Sequence, residues 1–192
     1  MSPDQFHDRM WEILQDINKN EFHAVAAKPP TDKAIANLAT STGIALPKDF
    51  LAFSQKTNAL CIMAREELWP EAKLFDVGPA WTFHRGLVIL GIEAEDLPEW
   101  ANIQNAYESL VELYELTDVL PLLKIMGDGN HYWGVKQDGT FVEVFDGEAT
   151  TLECSFIDTY ATEIKELIQR QKDMCELITK RNKNNISVCQ IT

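Results

Sequence analysis

The stretch Val119–Glu148, VLPLLKIMGDGNHYWGVKQDGTFVEVFDGE, decides the fold. It reads as three short strands cut by two compact turns, and its Asp138-Gly139 pair, flanked by alternating apolar residues, is the strongest short-range hairpin signal a sequence offers. A two-residue loop at that pair sets Gln137 against Thr140, Lys136 against Phe141, Val135 against Val142, Gly134 against Glu143, Trp133 against Val144 and Tyr132 against Phe145, with His131 opposite Asp146. Side chains alternate across a strand, so this register puts Trp133, Val135, Val142 and Val144 on a core face. Tyr132, Lys136, Phe141, Glu143 and Phe145 share the other face, which either lies under a helix or meets a partner.

Outward from the hairpin, the pattern turns helical. Ser2-Pro3 starts a helix with Phe6, Met10, Ile13, Leu14 and Ile17 at helical spacing, and a polar stretch then runs to Pro29-Pro30. Thr31 caps a second helix carrying Ile35, Leu38 and Ala39, which closes at Gly43 with Ile44 as its hydrophobic contact. Leu46-Pro47 opens a third, with Phe50, Leu51 and Phe53 inward and Asn58 near its end. Cys61-Ile62-Met63 is a short buried run, and Arg65–Lys73 is a charged loop or short helix around Trp69-Pro70. Gly86–Gly91 is an apolar strand bracketed by glycines. Leu97–Leu116 reads as a helix with Trp100, Ile103, Tyr107, Leu110, Val111 and Tyr114 on its apolar side. Past the hairpin, Thr150–Cys154 adds a short strand, and Ser155 with Asp158 forms a capping box. The helix it opens is long, with Phe156, Ile157, Tyr160, Ile164, Leu167, Ile168, Met174, Cys175 and Ile178 on one face and Gln171 the single interruption. Helices first, strands clustered in the middle and a long helix last make an α+β protein: a central, mostly antiparallel sheet edged by N-terminal helices and a long C-terminal helix. We read one domain over residues 1–192, with a helical extension at 1–28 and a frayed polar tail at 180–192.

Charge narrows the partner. The chain of 192 residues carries a formal −13. Residues 61–160 hold 5 basic and 19 acidic side chains, a local −14, while the flanking parts nearly balance. Such a field repels nucleic-acid backbones and anionic membrane surfaces and steers basic partners inward. Cys61, Cys154, Cys175 and Cys189 stand far apart with no metal spacing, which suits a reducing compartment. There is no signal-peptide pattern at the N-terminus and no apolar run of membrane-spanning length, so the expected location is the cytoplasm.

Several segments together resemble the SUKH superfamily, the Smi/Knr-like domain. LPKDFLAFSQKTNAL is similar to its Leu-Pro helix, although Ala59 follows Asn58 where the family prefers Gly. LPLLKIMGDGNHYWGVKQDGTFVEVFDGE resembles its central strands, and ECSFIDTYATEIKEL its closing helix. With the helix at Thr31–Thr42, the resemblance runs in family order from Thr31 to Leu167. It implies a protein-binding domain with no enzymatic activity: in bacteria an immunity protein that neutralises a cognate toxin, often a nuclease, and in fungi a regulator of cell-wall synthesis.

No metal, phosphate-loop or nucleophile-elbow motif is present, and no cofactor is expected. Gly127–Asn130 lacks the later ligands of a calcium loop and reads as a turn. A hydrolase built around His131, Asp128 and Asp146 is the enzymatic alternative. The better candidates are carboxylates gathered around aromatic rings, because a ring supplies contact area while the charges steer a basic partner. These are Glu66, Glu67 and Glu71 around Trp69, then Glu93, Glu95, Asp96 and Glu99 beside Leu97 and Trp100, and finally Tyr132, Glu143 and Phe145 on the second hairpin face.

Overall fold

The computed structural model describes residues 2–65 and 85–189, the side chains of 178 and 181–189 excepted. Helix α1 (Pro3–Ile13) starts from a Ser2–Gln5 capping box. It is followed by β1 (Phe22–Ala27), α2 (Asp32–Thr42), α3 (Lys48–Ser54), β2 (Asn58–Ala64) and β3 (Gly86–Ile89). Then come α4 (Ile103–Tyr114), β4 (Val119–Ile125), β5 (His131–Lys136), β6 (Phe141–Phe145), β7 (Glu148–Thr151) and α5 (Phe156–Cys189). The fold is α+β. Its seven described strands form one sheet in the order β1 to β7, each antiparallel to its neighbour.

Helices cover both faces of this sheet. On one, Phe156 of α5 meets Phe50 of α3, Phe6 of α1 and Phe141 of β6 at ring distances of 5.4–6.1 Å. On the other, Tyr114 of α4 lies against Gly147, where an added Cβ would strike its ring. The core between them is apolar and continuous, from Met10 and Phe53 through Leu60, Ile62, Leu87, Ile89 and Leu123 to Tyr160 and Ile164. The local signals for the helices hold. Thr31 Oγ1 accepts the Ala34 N–H, Gly43 ends α2 in the left-handed conformation with Ile44 buried behind it, and Ser155 and Asp158 form the capping box before α5.

Four parts of the sequence reading are corrected. First, the β5–β6 register is one residue off. The structure pairs His131 with Phe145, Tyr132 with Val144, Trp133 with Glu143 and Val135 with Phe141, around a three-residue loop closed by Lys136 N–H to Thr140 O and Gly139 N–H to Lys136 O. A two-residue type I′ turn needs positive φ at both central residues, and here only Gly139 has it (φ 86°). One residue of shift exchanges the face partners. Trp133 and Val135 now share a face with His131, Phe141, Glu143 and Phe145, while Tyr132 joins Val142 and Val144. The four residues of the expected core face are all buried, but from opposite sides of the sheet. Asp146 moves away from His131 and gives its N–H to Asn130 O.

Second, the stretch before Pro29-Pro30 contains β1, hydrogen-bonded along the outside of β2. Third, the helix expected from Leu97 is a 3₁₀ turn at Glu99–Ala101, then a fresh start at Asn102, whose side chain caps α4; Trp100 sits on the turn, 46% exposed. Fourth, α5 runs on to Cys189 through the stretch expected to fray, and from Phe156 onward no Gly or Pro interrupts it. Asn58 also changes role. It lies in β2 beside Ala59, which adopts φ 50°, a left-handed conformation that glycine takes without strain.

Candidate binding surface

β1 has the sequence FHAVAA, with neither charge nor proline. Phe22 is buried in the core, and His23 to Ala26 are exposed. Among the described residues β2 is its single neighbour in the sheet. The ladder's parity follows from Arg65 N–H donating to Glu21 O at 2.8 Å. Bonded and non-bonded pairs alternate in an antiparallel ladder, so His23–Met63 and Val25–Cys61 exchange hydrogen bonds. Ala24, opposite Ile62, turns its N–H and C=O away from β2.

A polar clamp fixes what lies beside this edge. Asn58 is fully buried. Its Nδ2 donates to Lys28 O (3.0 Å) and Ile92 O (2.8 Å), and its Oδ1 accepts the Ile92 N–H (2.9 Å). Asp96 Oδ1 accepts the Lys28 N–H at 3.0 Å, and Glu95 pairs with Lys28 Nζ at 2.9 Å. The 3₁₀ turn is held in place by Gly91 N–H to Ala101 O and Ile103 N–H to Gly91 O. Together these bonds seat the Asp96–Ala101 segment against the sheet. A groove of about 200 Å³ results, walled by Val25, Ala27, Cys61 and Met63 on one side and Pro98 and Trp100 on the other.

The groove is apolar with one carboxylate in its lining. Val25 is 58% exposed and Asp96 stands at the rim, whereas Glu93 and Glu95 line a separate hollow against α2 with Thr31, Lys33 and Ala34. Cys61 lines the wall, and burial pushes its thiol up to about 11 against the pull of Arg85 and Lys124, so it stays protonated at neutral pH and behaves as a small apolar side chain.

The expected site residues separate into four groups. Glu66, Glu67, Trp69 and Glu71 lie outside the described residues. Glu93, Glu95, Asp96 and Glu99 are all exposed but do not gather in one place: Asp96 lines the groove, Glu93 and Glu95 line the neighbouring hollow against α2, and Lys28 engages Glu95 and Asp96. Tyr132 is buried on the α4 side of the sheet and is not a contact residue. Glu143 and Phe145 lie on the α5 side with His131, whose Nε2 sits 2.7 Å from Glu143 Oε1 and whose ring packs 4.2 Å from Trp133 and 5.5 Å from Phe145. Glu163 of α5 joins them. Burial raises its carboxyl, while Arg170 and His131 oppose that shift. This is a charged seam between sheet and helix. The hydrolase triad does not assemble as expected: His131 meets Glu143, and Asp128 closes its own turn by accepting the Asn130 N–H. No group of three His, Cys, Asp or Glu suited to a metal ion occurs among the described residues. No helix among them is long and apolar enough to cross a membrane.

Sequence reasoning missed β1 and with it Val25. The available signal was six uncharged residues bounded by Glu21 and Lys28-Pro29-Pro30, a strand-length run with a breaker behind it. The fold and this surface define an α+β domain in which β1 is, among the described residues, an unpaired apolar sheet edge with Asp96 in the groove beside it. Comparison with protein-family models and with curated proteins finds no match.

Proposed function

We propose that this chain is a non-enzymatic protein-binding domain of the Smi/Knr-like kind, an immunity protein that occludes a basic, nuclease-type toxin in the cytoplasm. The observation that carries the reading is the apolar groove beside β1, with Asp96 in its lining, in a chain whose residues 61–160 alone contribute 5 basic and 19 acidic side chains. Apolar contact area on a strongly acidic chain suits a partner that brings Lys and Arg, with the charges setting the approach and the apolar surface setting the lifetime. The arrangement of Leu-Pro helix, central hairpin and closing helix supports the same assignment. Occlusion of the toxin's substrate site needs no chemistry from this chain and no cofactor.

The test is a pull-down with the product of the neighbouring open reading frame at rising salt. Capture that weakens as salt rises supports the reading. Capture indifferent to salt, or none, counts against it. A gene standing alone, away from any large secreted partner, favours instead a regulatory scaffold of the cell-wall-regulator kind.

A further inference from the structure

We infer that β1 is the docking edge: an extended segment of the partner, carrying an apolar residue flanked two positions away by Lys or Arg, adds as a strand beside β1. The inference rests on the protein-binding reading and says where, and to what, the domain binds.

Three observations converge on this edge. Among the described residues no strand pairs with the outer side of β1, and at Ala24 both backbone groups face outward. Natural edges of this kind are blunted by charge, proline or a covering element; β1 has no proline and no carboxylate or ammonium of its own, and the one cation bonded to its side chains among the described residues is Arg65, whose Nη1 lies 3.1 Å from His23 Nε2. An added strand would lie ~4.8 Å from β1 and bond to those groups, the geometry by which extended peptides augment sheets. The groove then supplies selection. Val25 and Trp100 offer exposed apolar surface at the groove, and Asp96 lines it. Residues two apart on a strand share a face, so an apolar side chain by Val25 carries its neighbours at plus and minus two on the groove side, where Asp96 stands.

The same charges argue against a second copy of this chain as the occupant. Pairing β1 with β1 would bring two chains of formal charge −13 side by side, with Asp96 of each near the seam. Like-charge juxtaposition of that kind suppresses association. A basic segment relieves it.

The probe is the fluorescein-labelled peptide KTKTVTKTK, whose valine and lysines share one face, read by anisotropy alongside ETETVTETE. The full-length chain is compared with Ala24→Pro and Val25→Lys. Ala24→Pro removes an N–H that β2 does not use, a position where an edge strand tolerates proline. Val25→Lys keeps the backbone and reverses the groove's preference. We expect the basic peptide to bind the unaltered chain and to lose about tenfold or more in affinity with either variant, with the acidic peptide not binding. Circular dichroism establishes that the variants are folded. Three results would overturn the inference: equal binding by folded Ala24→Pro, no binding of the basic peptide by the unaltered chain, or a dimer of the chain that Ala24→Pro dissociates. The protein-binding reading is judged separately, by the neighbouring gene's product. If that product is captured equally by the unaltered chain and by Ala24→Pro, β1 is not the edge and the reading stands; if the unaltered chain fails to capture it, the reading falls.

Discussion

The two edges of the sheet are built to opposite ends. β7 is four residues long, EATT, with a carboxylate at Glu148 and β-branched threonines. It leaves β6 through a two-residue turn, Asp146-Gly147, in which both residues have positive φ (47° and 83°). Tyr114 presses on that turn and donates its hydroxyl hydrogen to Asn130 Oδ1, so the turn is packed as well as tight. β1 is longer, uncharged and rich in alanine, and its exposed residues flank a groove. A short, charged edge resists pairing, and a longer apolar one invites it. The difference teaches that, among the described residues, the sheet ends in two unlike strands, one short and acidic and the other longer and apolar with the groove beside it.

The largest expected effect lies at the β7 end. Gly147→Ala puts a Cβ into the Tyr114 ring at a positive φ, and we expect a loss of about 2–4 kcal/mol in chemical denaturation. A loss below about 1 kcal/mol would mean the β6–β7 turn is not a fixed part of the sheet. Next comes a paired proline test. Ala24 and Thr151 occupy equivalent outward-facing ladder positions, Thr151 because Leu152 N–H donates to Phe141 O one residue away. Ala24→Pro should weaken binding of the basic peptide about tenfold and Thr151→Pro should leave it unchanged, with both variants folded. Equal effects would erase the distinction between the edges.

Two smaller effects sit in the helix layer that backs the sheet. Tyr160 is fully buried, its hydroxyl has no hydrogen-bond partner among the described residues, and burial holds the phenol far above its ordinary range. Tyr160→Phe removes an unmatched polar atom and should stabilise the fold by about 1 kcal/mol. Glu163 gives the smallest effect. Burial raises its carboxyl, with Glu166 and Glu143 acting in the same direction and Arg170 and His131 against it. A carboxyl raised in the folded state binds its proton more tightly there than in the unfolded chain. Its contribution is therefore fully present below the ordinary carboxylate range and is lost as pH climbs through the raised value. Glu163→Gln should lift the melting temperature at pH 7 and leave it nearly unchanged at pH 4; a gain confined to pH 4 would contradict the sign.

The local signals were legible because each rests on a few adjacent residues. Thr31, Gly43, Ser155 and Asp158 punctuate helices wherever they fall, and the strands around Asp138-Gly139 alternate visibly. Register was not, because Asp-Gly serves two turns. At 146–147 both residues take positive φ and the loop has two residues; at 138–139 Gly139 alone does, the loop has three, and every side chain of one strand changes its face partners. The candidate surface was half legible. The acidic run Glu93 to Glu99 that supplies Asp96 stands out in composition, whereas β1 follows a helix and a polar stretch and owes its strand to pairing with β2. Trp100 reads as helical core by spacing, yet the break at Asn102 turns it outward.

Amide hydrogen exchange at Ala24 and Thr151, measured by NMR in the free chain and with saturating KTKTVTKTK, tests the β1 edge most directly. Protection at Ala24 should rise tenfold or more while Thr151 stays as it was. Protection rising at Thr151, or unchanged at both, would contradict the account.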